Sequence, residues 1–280
     1  FMPTILPCRP QRLDGESRAS VGSMQSMAEQ AEKRVTTLLG AANRVTVLTG
    51  AGISTDSGIP DFRGPQGVWT KDPAAAALFT YQNYVADPEV RRRAWRTRGD
   101  SPAWRAEPNA GHRALVELQQ AGKLRGLVTQ NIDGLHQLAG SDPDLVIEIH
   151  GTMRWATCLS CDLRTPMPDV LARVAAGESD PPCLRCGGIQ KSATISFGQS
   201  LDPAVLDAAV RAARDCELFL AVGTSLQVYP AAGLCDYAMG AGAQLVVINA
   251  EPTPYDPVAD AVLREPIGAV LPRLVAAALE

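Results

Sequence analysis

Four of the seven cysteines stand in two C-x-x-C pairs, Cys158 with Cys161 and Cys183 with Cys186. Each pair can present two thiolates to one metal ion, and four sulfur ligands are typical of a structural zinc site. Such a site leaves no coordination position for water, so the ion would stabilise the fold and take no part in catalysis. The sequence therefore predicts one structural Zn²⁺ on these residues; four buried or redox-active thiols are the alternative.

The chain contains three histidines, and one of them, His150, ends an apolar run immediately before Gly151. A neutral imidazole with a pKa of about 6.5 suits a general base at the end of a strand. His112 and His136 fall in predicted helical stretches, where a hydrogen-bonded structural role is favoured. His150 is therefore the candidate catalytic histidine.

A glycine-bearing segment, Gly50-Ala51-Gly52-Ile53-Ser54, follows an apolar run and precedes a predicted helix. Glycines in this setting let backbone amides approach a pyrophosphate. Thr55 stands where the dinucleotide fingerprint has a third glycine, and no acidic residue ends a following strand. Asn249 and Glu251, at the end of a later run, can accept hydrogen bonds from ribose hydroxyls instead. A plain turn is the alternative for these two, because prolines follow them.

Residues 58–70, GIPDFRGPQGVWT, are too rich in glycine and proline for a helix. This loop nevertheless carries Asp61, Phe62 and Arg63, and the guanidinium of Arg63 can pair with a phosphate. We expect a lid over a bound ligand; an exposed loop without function is the alternative.

Five apolar runs in the chain each end in a polar or glycine-bearing segment. They are RVTVLTGAG, GLVTQNID, LVIEIHG, LFLAVGTS and QLVVINAE. Apolar runs bounded by turn residues predict buried parallel strands, and ligands bind at the carboxyl ends of such strands. The sequence therefore predicts an α/β fold, an open parallel sheet with its chemistry along one edge.

The composition favours one sheet-building core with a smaller inserted module, because the chain has 280 residues and is 46% hydrophobic. A net charge of −4 argues against nucleic-acid binding. The basic run from Arg91 to Arg98 is interpreted as a solvated helix face. No stretch is apolar enough to span a membrane, and no secretory signal opens the chain. We expect residues 1–27 to be disordered and the protein to be cytoplasmic.

Seven motifs together resemble the sirtuin family of NAD-dependent protein lysine deacylases. They are GAGIS, GIPDFRG, TQNIDGLH, EIHG, the paired C-x-x-C motifs, VGTSLQVYPAA and INAE. The resemblance implies a Rossmann-like doubly wound domain formed by residues 28–54, 113–150 and 200–280. It also implies a cofactor-loop and helical insertion at 55–112 and a zinc-ribbon module at 151–199. NAD would be consumed as a co-substrate, with no hydride transfer.

In this family the acyl oxygen of a modified lysine attacks C1′ of the nicotinamide ribose, and nicotinamide leaves. The resemblance implies that His150 is the base that deprotonates a ribose hydroxyl, and that Asn131 and Asp133 orient the reacting groups. The products would be lysine and O-acyl-ADP-ribose. The cofactor contacts implied by the same resemblance are Gly50, Ala51, Gly52, Ile53, Ser54, Asp61, Phe62, Arg63, Gln130, Asn131, Ile132, Asp133, Gly223, Thr224, Ser225, Asn249, Glu251 and Ile267.

The resemblance further implies that an acyl-lysine peptide or protein binds as an added strand. Its neighbours would be Phe197 and Gly198 on one side and Leu226, Gln227 and Val228 on the other.

The sequence departs from the family pattern in the acyl and peptide regions. Gln199 replaces a common Glu, and Ser192 replaces a common Pro after Lys191. Relatives that remove succinyl or malonyl groups have a Tyr and, three positions later, an Arg, where this chain has Trp95 and Arg98. An acetyl group is therefore the expected substrate, and succinyl or long-chain acyl groups are alternatives.

Other functions of the same sequence remain open. Mono-ADP-ribosyl transfer to protein would use the same NAD site and would move label from NAD onto protein. A non-catalytic binding module is disfavoured because His150, Asn131 and Asp133 are all present. A dehydrogenase is disfavoured by the missing third glycine.

Overall fold

The computed structural model describes residues 16–61, 64, 67 and 80–280, with the backbone alone for 16–25. Strands in chain order are β1 (Val45–Thr49), β2 (Leu124–Thr129), β3 (Val146–Glu148), β4 (Gly151–Cys158), β5 (Arg164–Pro166), β6 (Gln190–Thr194), β7 (Leu218–Val222), β8 (Gln244–Ile248) and β9 (Ala261–Leu263). The α-helices in this part of the chain are α1 (Glu16–Ala41), α2 (Tyr81–Ala86), α3 (Pro88–Gly99), α4 (Ala110–Gln120), α5 (Leu135–Ala139), α6 (Met167–Ala175), α7 (Pro203–Arg214), α8 (Leu234–Gly240) and α9 (Ile267–Leu279), and short 3-10 helices are formed by Ala51–Ser57, Pro102–Trp104, Ala231–Gly233 and Asp256–Val258.

The main sheet has six strands among the described residues, in the order β3-β2-β1-β7-β8-β9. Every neighbouring pair is parallel. The chain builds outward from β1 in one direction and from β7 in the other, so the strand order reverses between them. In open α/β sheets this reversal is where a crevice opens at the carboxyl ends of the strands.

Two apolar cores cover the two faces of this sheet, which is why its strands are apolar throughout. Successive residues of β7 alternate between the cores, with Leu218, Leu220 and Val222 on one face and Phe219 and Ala221 on the other. Helices α1, α4 and α9 pack on the first face, and α7 and α8 on the second. The expected doubly wound α/β fold is confirmed.

A second, antiparallel sheet of order β5-β4-β6 follows the main sheet's third strand. It has its own small core, in which Ala156, Met167 and Val170 pack against Trp95 of α3. Helix α3 thus packs against the small sheet and its helix α6, and this contact forms one side of the space between the two sheets.

Two expectations about local structure are corrected. Helix α1 begins at Glu16, inside the segment 1–27 that was expected to be disordered, because alanine, methionine, glutamine and glutamate favour a helix there. The prediction that Arg91 to Arg98 form a solvated helix face is wrong at both ends of this run. Arg91 is buried and bonds to Asp180 at 2.8 Å, and Arg98 lines an internal cavity.

No helix among the described residues is long and apolar enough to cross a membrane.

Candidate active site

A cavity of about 1470 Å³ opens at the carboxyl ends of β1 and β7 and extends to the small sheet and helix α3. Pockets for one drug-sized ligand usually measure about 300–1,000 Å³. This cavity therefore has room for two ligands side by side, one over the strand ends and one toward the small sheet.

His150 lines this cavity in the turn between β3 and β4. Its Nδ1 lies 3.1 Å from the carbonyl oxygen of Gln130. A carbonyl only accepts, so Nδ1 carries the proton and Nε2 keeps a free lone pair. Burial lowers the pKa of His150 below its ordinary value, and the bond to Gln130 opposes this. The imidazole is therefore neutral at neutral pH, with its basic nitrogen fixed.

Asn131 and Asp133 line the same cavity as His150 and are joined through Ser54. The Ser54 hydroxyl donates to the Asp133 carboxylate at 2.8 Å, and the Asn131 amide donates to Ser54 Oγ at 3.2 Å. The same amide donates to the Gly50 carbonyl at 3.1 Å. All three side chains are nearly inaccessible to bulk water. Their contacts hold the loop after β2 against the loop after β1.

The glycines of the two strand-end loops pack backbone against backbone. A Cβ on Gly52 would lie 2.8 Å from Gly223 Cα, and one on Gly50 would lie 2.7 Å from the Gly223 carbonyl. Gly223 itself has φ +64. Any side chain at these positions would separate β1 from β7 at the point where the cavity begins.

The opposite end of the cavity carries Asn249 and Glu251 after β8. The Asn249 amide donates to the Glu251 carbonyl at 2.7 Å, and Arg264 donates to both backbone carbonyls. The Asn249 side-chain oxygen and the Glu251 carboxylate remain as acceptors beside the cavity. The Gln130 amide donates to Thr224 Oγ1 at 2.8 Å, which ties the loops after β2 and β7 together.

The structure brings most of the predicted site residues to this one cavity. Those that line it are His150, Gly50, Ala51, Gly52, Ser54, Asp61, Gln130, Asn131, Ile132, Asp133, Gly223, Thr224, Ser225, Asn249, Glu251, Ile267, Phe197, Gly198, Gln227 and Val228. Ile53 and Leu226 do not line it, because their side chains are buried in the two cores. Phe62 and Arg63 lie outside the described residues.

The two C-x-x-C pairs converge on one point beside the small sheet. Cys158 and Cys186 have sulfurs 3.5 Å apart, and the sulfurs of Cys161 and Cys183 are 3.7 Å apart. All four lie within 4.8 Å of one another. Zn–S bonds of about 2.3 Å in a tetrahedron place sulfurs about 3.8 Å apart, so this arrangement fits a zinc ion.

The cavity end nearest the small sheet has a surface that we call the polar wall, consisting of Tyr84, Trp95, Arg98, Lys191 and Ser192. Neither cation of this wall has a carboxylate ion-pair partner among the described residues. Burial lowers the pKa of Arg98 and, together with that neighbouring guanidinium, lowers the pKa of Lys191 to about 8. Trp95 Nε1 and Ser192 Oγ are buried without a hydrogen-bond partner in the described part of the chain.

The sequence did not predict that the residues of the polar wall lie together, because they come from three separate elements, α2, α3 and β6. It also missed Arg154 on β4, whose guanidinium donates to the Asp133 carbonyl. The alternation of β4 contained a signal for it, because Arg154 shares a face with buried Ala156 while Trp155 is exposed.

A doubly wound α/β domain joined to a small four-cysteine sheet, with a large cavity between them, defines the architecture. Residues 50–230 match the model of the Sir2 family. The NAD-dependent protein deacetylase 2 of Streptomyces coelicolor is 58% identical over 231 residues, which cover 82% of this chain and 96% of that protein. The NAD-dependent protein deacetylase of Sulfolobus acidocaldarius is 42% identical, covering 89% of this chain and 95% of that protein.

Solved structures agree with these sequence matches. A structure from work on the mechanism and regulation of Sir2 enzymes has a TM-score of 0.81 at 36% identity, covering 89% of this chain and 98% of that one. A Sir2 structure with a p53 peptide and NAD⁺ has a TM-score of 0.76 at 33% identity, covering 86% and 95%. The chain belongs to the Sir2 family, as its motifs predicted.

Proposed function

We propose that this protein is an NAD-dependent protein lysine deacetylase that converts acetyl-lysine and NAD to lysine, nicotinamide and O-acetyl-ADP-ribose. The observation that carries the proposal is a neutral His150 that lines the same large cavity as Asn131 and Asp133. Relatives named as NAD-dependent deacetylases and Sir2 structures with NAD⁺ or acetylated peptide support it.

His150 acts as the general base in this proposal. Its Nδ1–H is held by the Gln130 carbonyl, so Nε2 is the nitrogen that accepts a proton from a ribose hydroxyl. The depressed pKa keeps Nε2 unprotonated at neutral pH. NAD supplies the electrophilic ribose carbon and the nicotinamide leaving group.

Asn131 and Asp133 orient the nicotinamide end of NAD and exclude disordered water from it. Both side chains are already fixed through Ser54 before any ligand binds, so little ordering remains for the ligand to drive. The strand-end loops would hold the phosphates and riboses through Gly223, Thr224 and Ser225, and Asn249 with Glu251 would accept adenosine ribose hydroxyls.

The acyl-lysine peptide is proposed to enter between Phe197-Gly198 and Gln227-Val228, all of which line the cavity. Phe197 already accepts a backbone bond from Tyr81 at 2.9 Å in a one-residue bridge. An extended peptide would continue this pairing. Cys158, Cys161, Cys183 and Cys186 would hold one structural zinc ion. The cytoplasmic location and the lack of nucleic-acid partners stay predictions.

The test is mass spectrometry of an acetyl-lysine peptide incubated with the protein, with and without NAD. We expect loss of the acetyl group to match release of nicotinamide and O-acetyl-ADP-ribose mole for mole. Transfer of ADP-ribose onto protein without deacetylation would instead support a mono-ADP-ribosyltransferase. Formation of NADH would contradict both.

The polar wall favours a second candidate substrate, a lysine carrying an acyl chain that ends in a carboxylate. Arg98 and Lys191 line the cavity without a carboxylate ion-pair partner in the described chain, and the Lys191 ammonium donates only to the backbone carbonyls of Ser192 and Thr194. Burial lowers the pKa of both cations. An anion beside them would raise both pKa values and stabilise both charged forms. The unpaired Trp95 Nε1–H and the Ser192 hydroxyl could donate to the same carboxylate.

Arg98→Met separates the two substrate classes. A charge-assisted hydrogen bond contributes about 1.5–3 kcal/mol, so kcat/KM for a succinyl-lysine peptide should fall roughly 10- to 100-fold while that for acetyl-lysine stays within about threefold. Arg93→Met, on the exposed side of the same helix, is the matched control. Equal losses for both peptides would exclude the acidic acyl substrate.

A further inference from the structure

Arg154 lies on β4, outside the residues that line the cavity, and its side chain reaches the loop that carries Asn131 and Asp133. Its Nε donates to the Asp133 carbonyl at 3.1 Å and its Nη2 to the same oxygen at 2.7 Å. We propose that Arg154 is a positioning residue for this loop and thereby for the nicotinamide end of NAD, an inference that rests on the proposed function.

Two neighbouring carbonyls of the loop are held by two neighbouring residues of β4. Met153 N donates to the Ile132 carbonyl at 2.9 Å, and the Arg154 guanidinium donates to the Asp133 carbonyl. The chain then turns at Gly134, whose φ is +75, directly against the Arg154 side chain. Two residues of the small sheet therefore hold the backbone of the loop that carries Asn131 and Asp133.

The Asp133 carboxylate is held from the opposite side of the same residue. Ser54 Oγ donates to one carboxylate oxygen at 2.8 Å, and Leu135 N donates to the other at 2.9 Å. Asp133 is thus held at its carbonyl by Arg154 and at its carboxylate by Ser54 and Leu135. Loss of Arg154 would let the peptide between residues 133 and 134 rotate.

Arg154 is itself fixed by the helical insertion. Its guanidinium carbon lies 5.4 Å from the centre of the Trp104 ring, and the Trp104 indole donates to the Arg98 carbonyl at 2.7 Å. A cation–π contact of this kind stabilises by about 0.5–2 kcal/mol. Arg154 therefore connects three segments, which are the small sheet, the loop after β2 and the end of α3.

The experiment compares Arg154→Met and Arg154→Lys with the native protein in steady-state deacetylation and in NAD binding by calorimetry. Two hydrogen bonds from a charged donor predict that Arg154→Met raises KM and Kd for NAD roughly 10- to 100-fold. The KM for the acetyl peptide should stay within about twofold. Arg154→Lys should recover part of the loss, because an ammonium can donate one of the two bonds.

Arg164→Met is the matched control. Arg164 lies on β5 of the same sheet, contacts Trp155 at 5.2 Å in the same way, and is exposed. It should leave both KM values unchanged. Trp104→Leu, which removes only the stacking partner, should shift the NAD parameters in the same direction by a smaller factor, and it keeps the proposal testable if Arg154→Met does not fold.

Unchanged NAD parameters in Arg154→Met, or equal losses for NAD and peptide with no recovery in Arg154→Lys, would overturn the positioning role. Absence of deacetylation in the native protein would overturn the proposed function instead. The calorimetric comparison of NAD affinity between the native protein and Arg154→Met still tests the positioning role in that case.

Discussion

His112 and His136 take no part in the proposed reaction, but their burial predicts how the free energy of unfolding depends on pH. His112 and His136 are buried, with ring centres 4.9 Å apart. Burial lowers the pKa of His136 to about 3, aided by the neighbouring His112, and lowers that of His112 to about 4. Asp133 raises the latter pKa and Arg113 lowers it, but neither outweighs burial. Both imidazoles are therefore neutral in the folded protein.

The sign follows from the protons that each state binds. An unfolded histidine has a pKa of about 6.5 and is protonated at pH 5, while the folded ring stays neutral. The unfolded state thus gains protons first as the pH falls below about 6.5, and the free energy of unfolding decreases until the folded pKa is reached. At about 1.4 kcal/mol per pH unit, each buried histidine lowers stability by about 2 kcal/mol between pH 7 and pH 5.

His136→Gln isolates this contribution. The glutamine amide can replace the ring nitrogen that lies 2.9 Å from Thr49 Oγ1, but it does not titrate. Urea unfolding of the native protein and the variant should be measured at pH 7 and pH 5 with zinc present. Between pH 7 and pH 5, the free energy of unfolding of the variant should decrease by about 2 kcal/mol less than that of the native protein. A packing defect in the variant that is the same at both pH values does not affect this difference.

Titratable groups that do not interact with His136 cancel in this double difference. Glu148, whose pKa is raised by burial, has a dependence of opposite sign, and it is the same in both proteins. If the two proteins lose equal stability between pH 7 and pH 5, His136 takes up its proton in the folded state. The assignment of a neutral buried ring would then be wrong.

Three further predictions concern the site. His150→Ala should bind NAD with unchanged affinity by calorimetry but lose about 10²- to 10⁴-fold in kcat. In the native protein, the acid limb of the kcat/KM profile should have its midpoint below pH 6.5, because burial lowers the pKa of His150. Near-normal turnover of the variant, or a midpoint at pH 7, would contradict the assignment of His150 as this general base. Cys183→Ala should purify without zinc by atomic absorption and melt at lower temperature, because metal binding contributes to folding; one zinc ion per chain would contradict the four-sulfur site. Gly223→Ala should lower the free energy of unfolding by about 2 kcal/mol or more in urea, since φ +64 disfavours a Cβ and its Cβ would meet Gly52; native-like stability would show that the β1 and β7 loops are not closely packed.

The parts of the fold that the sequence predicted are those encoded in contiguous segments. Strands such as β1 and β7 are buried on both faces, so their apolar runs and the polar residues that end them could be recognised directly. Strand β9, Ala261–Leu263, was not predicted, because three residues carry too little pattern. It forms only by adding to the edge of β8.

The polar wall shows why part of the site could not be predicted. Arg98 occupies a helix of low hydrophobicity, and charge runs usually face solvent. Its guanidinium faces a cavity only because Trp95, one turn earlier, is buried against Met167 and Val170 of helix α6, which packs on the small sheet. Whether a side chain faces bulk water or an internal cavity depends on this tertiary contact, which no local pattern contains.

The glycines give a physical reason for the departure from the dinucleotide fingerprint. In that fingerprint the third glycine permits close packing of the helix against a strand. Here Ala51–Ser57 is a 3-10 helix, and close approach is needed between Gly50, Gly52 and the Gly223 loop of a neighbouring strand. Thr55 is therefore tolerated, with its hydroxyl bonded to the Gly52 carbonyl at 3.0 Å. In this protein glycine is therefore required where two strand ends pack together, at the point where the cavity opens, and not where a helix packs against a strand.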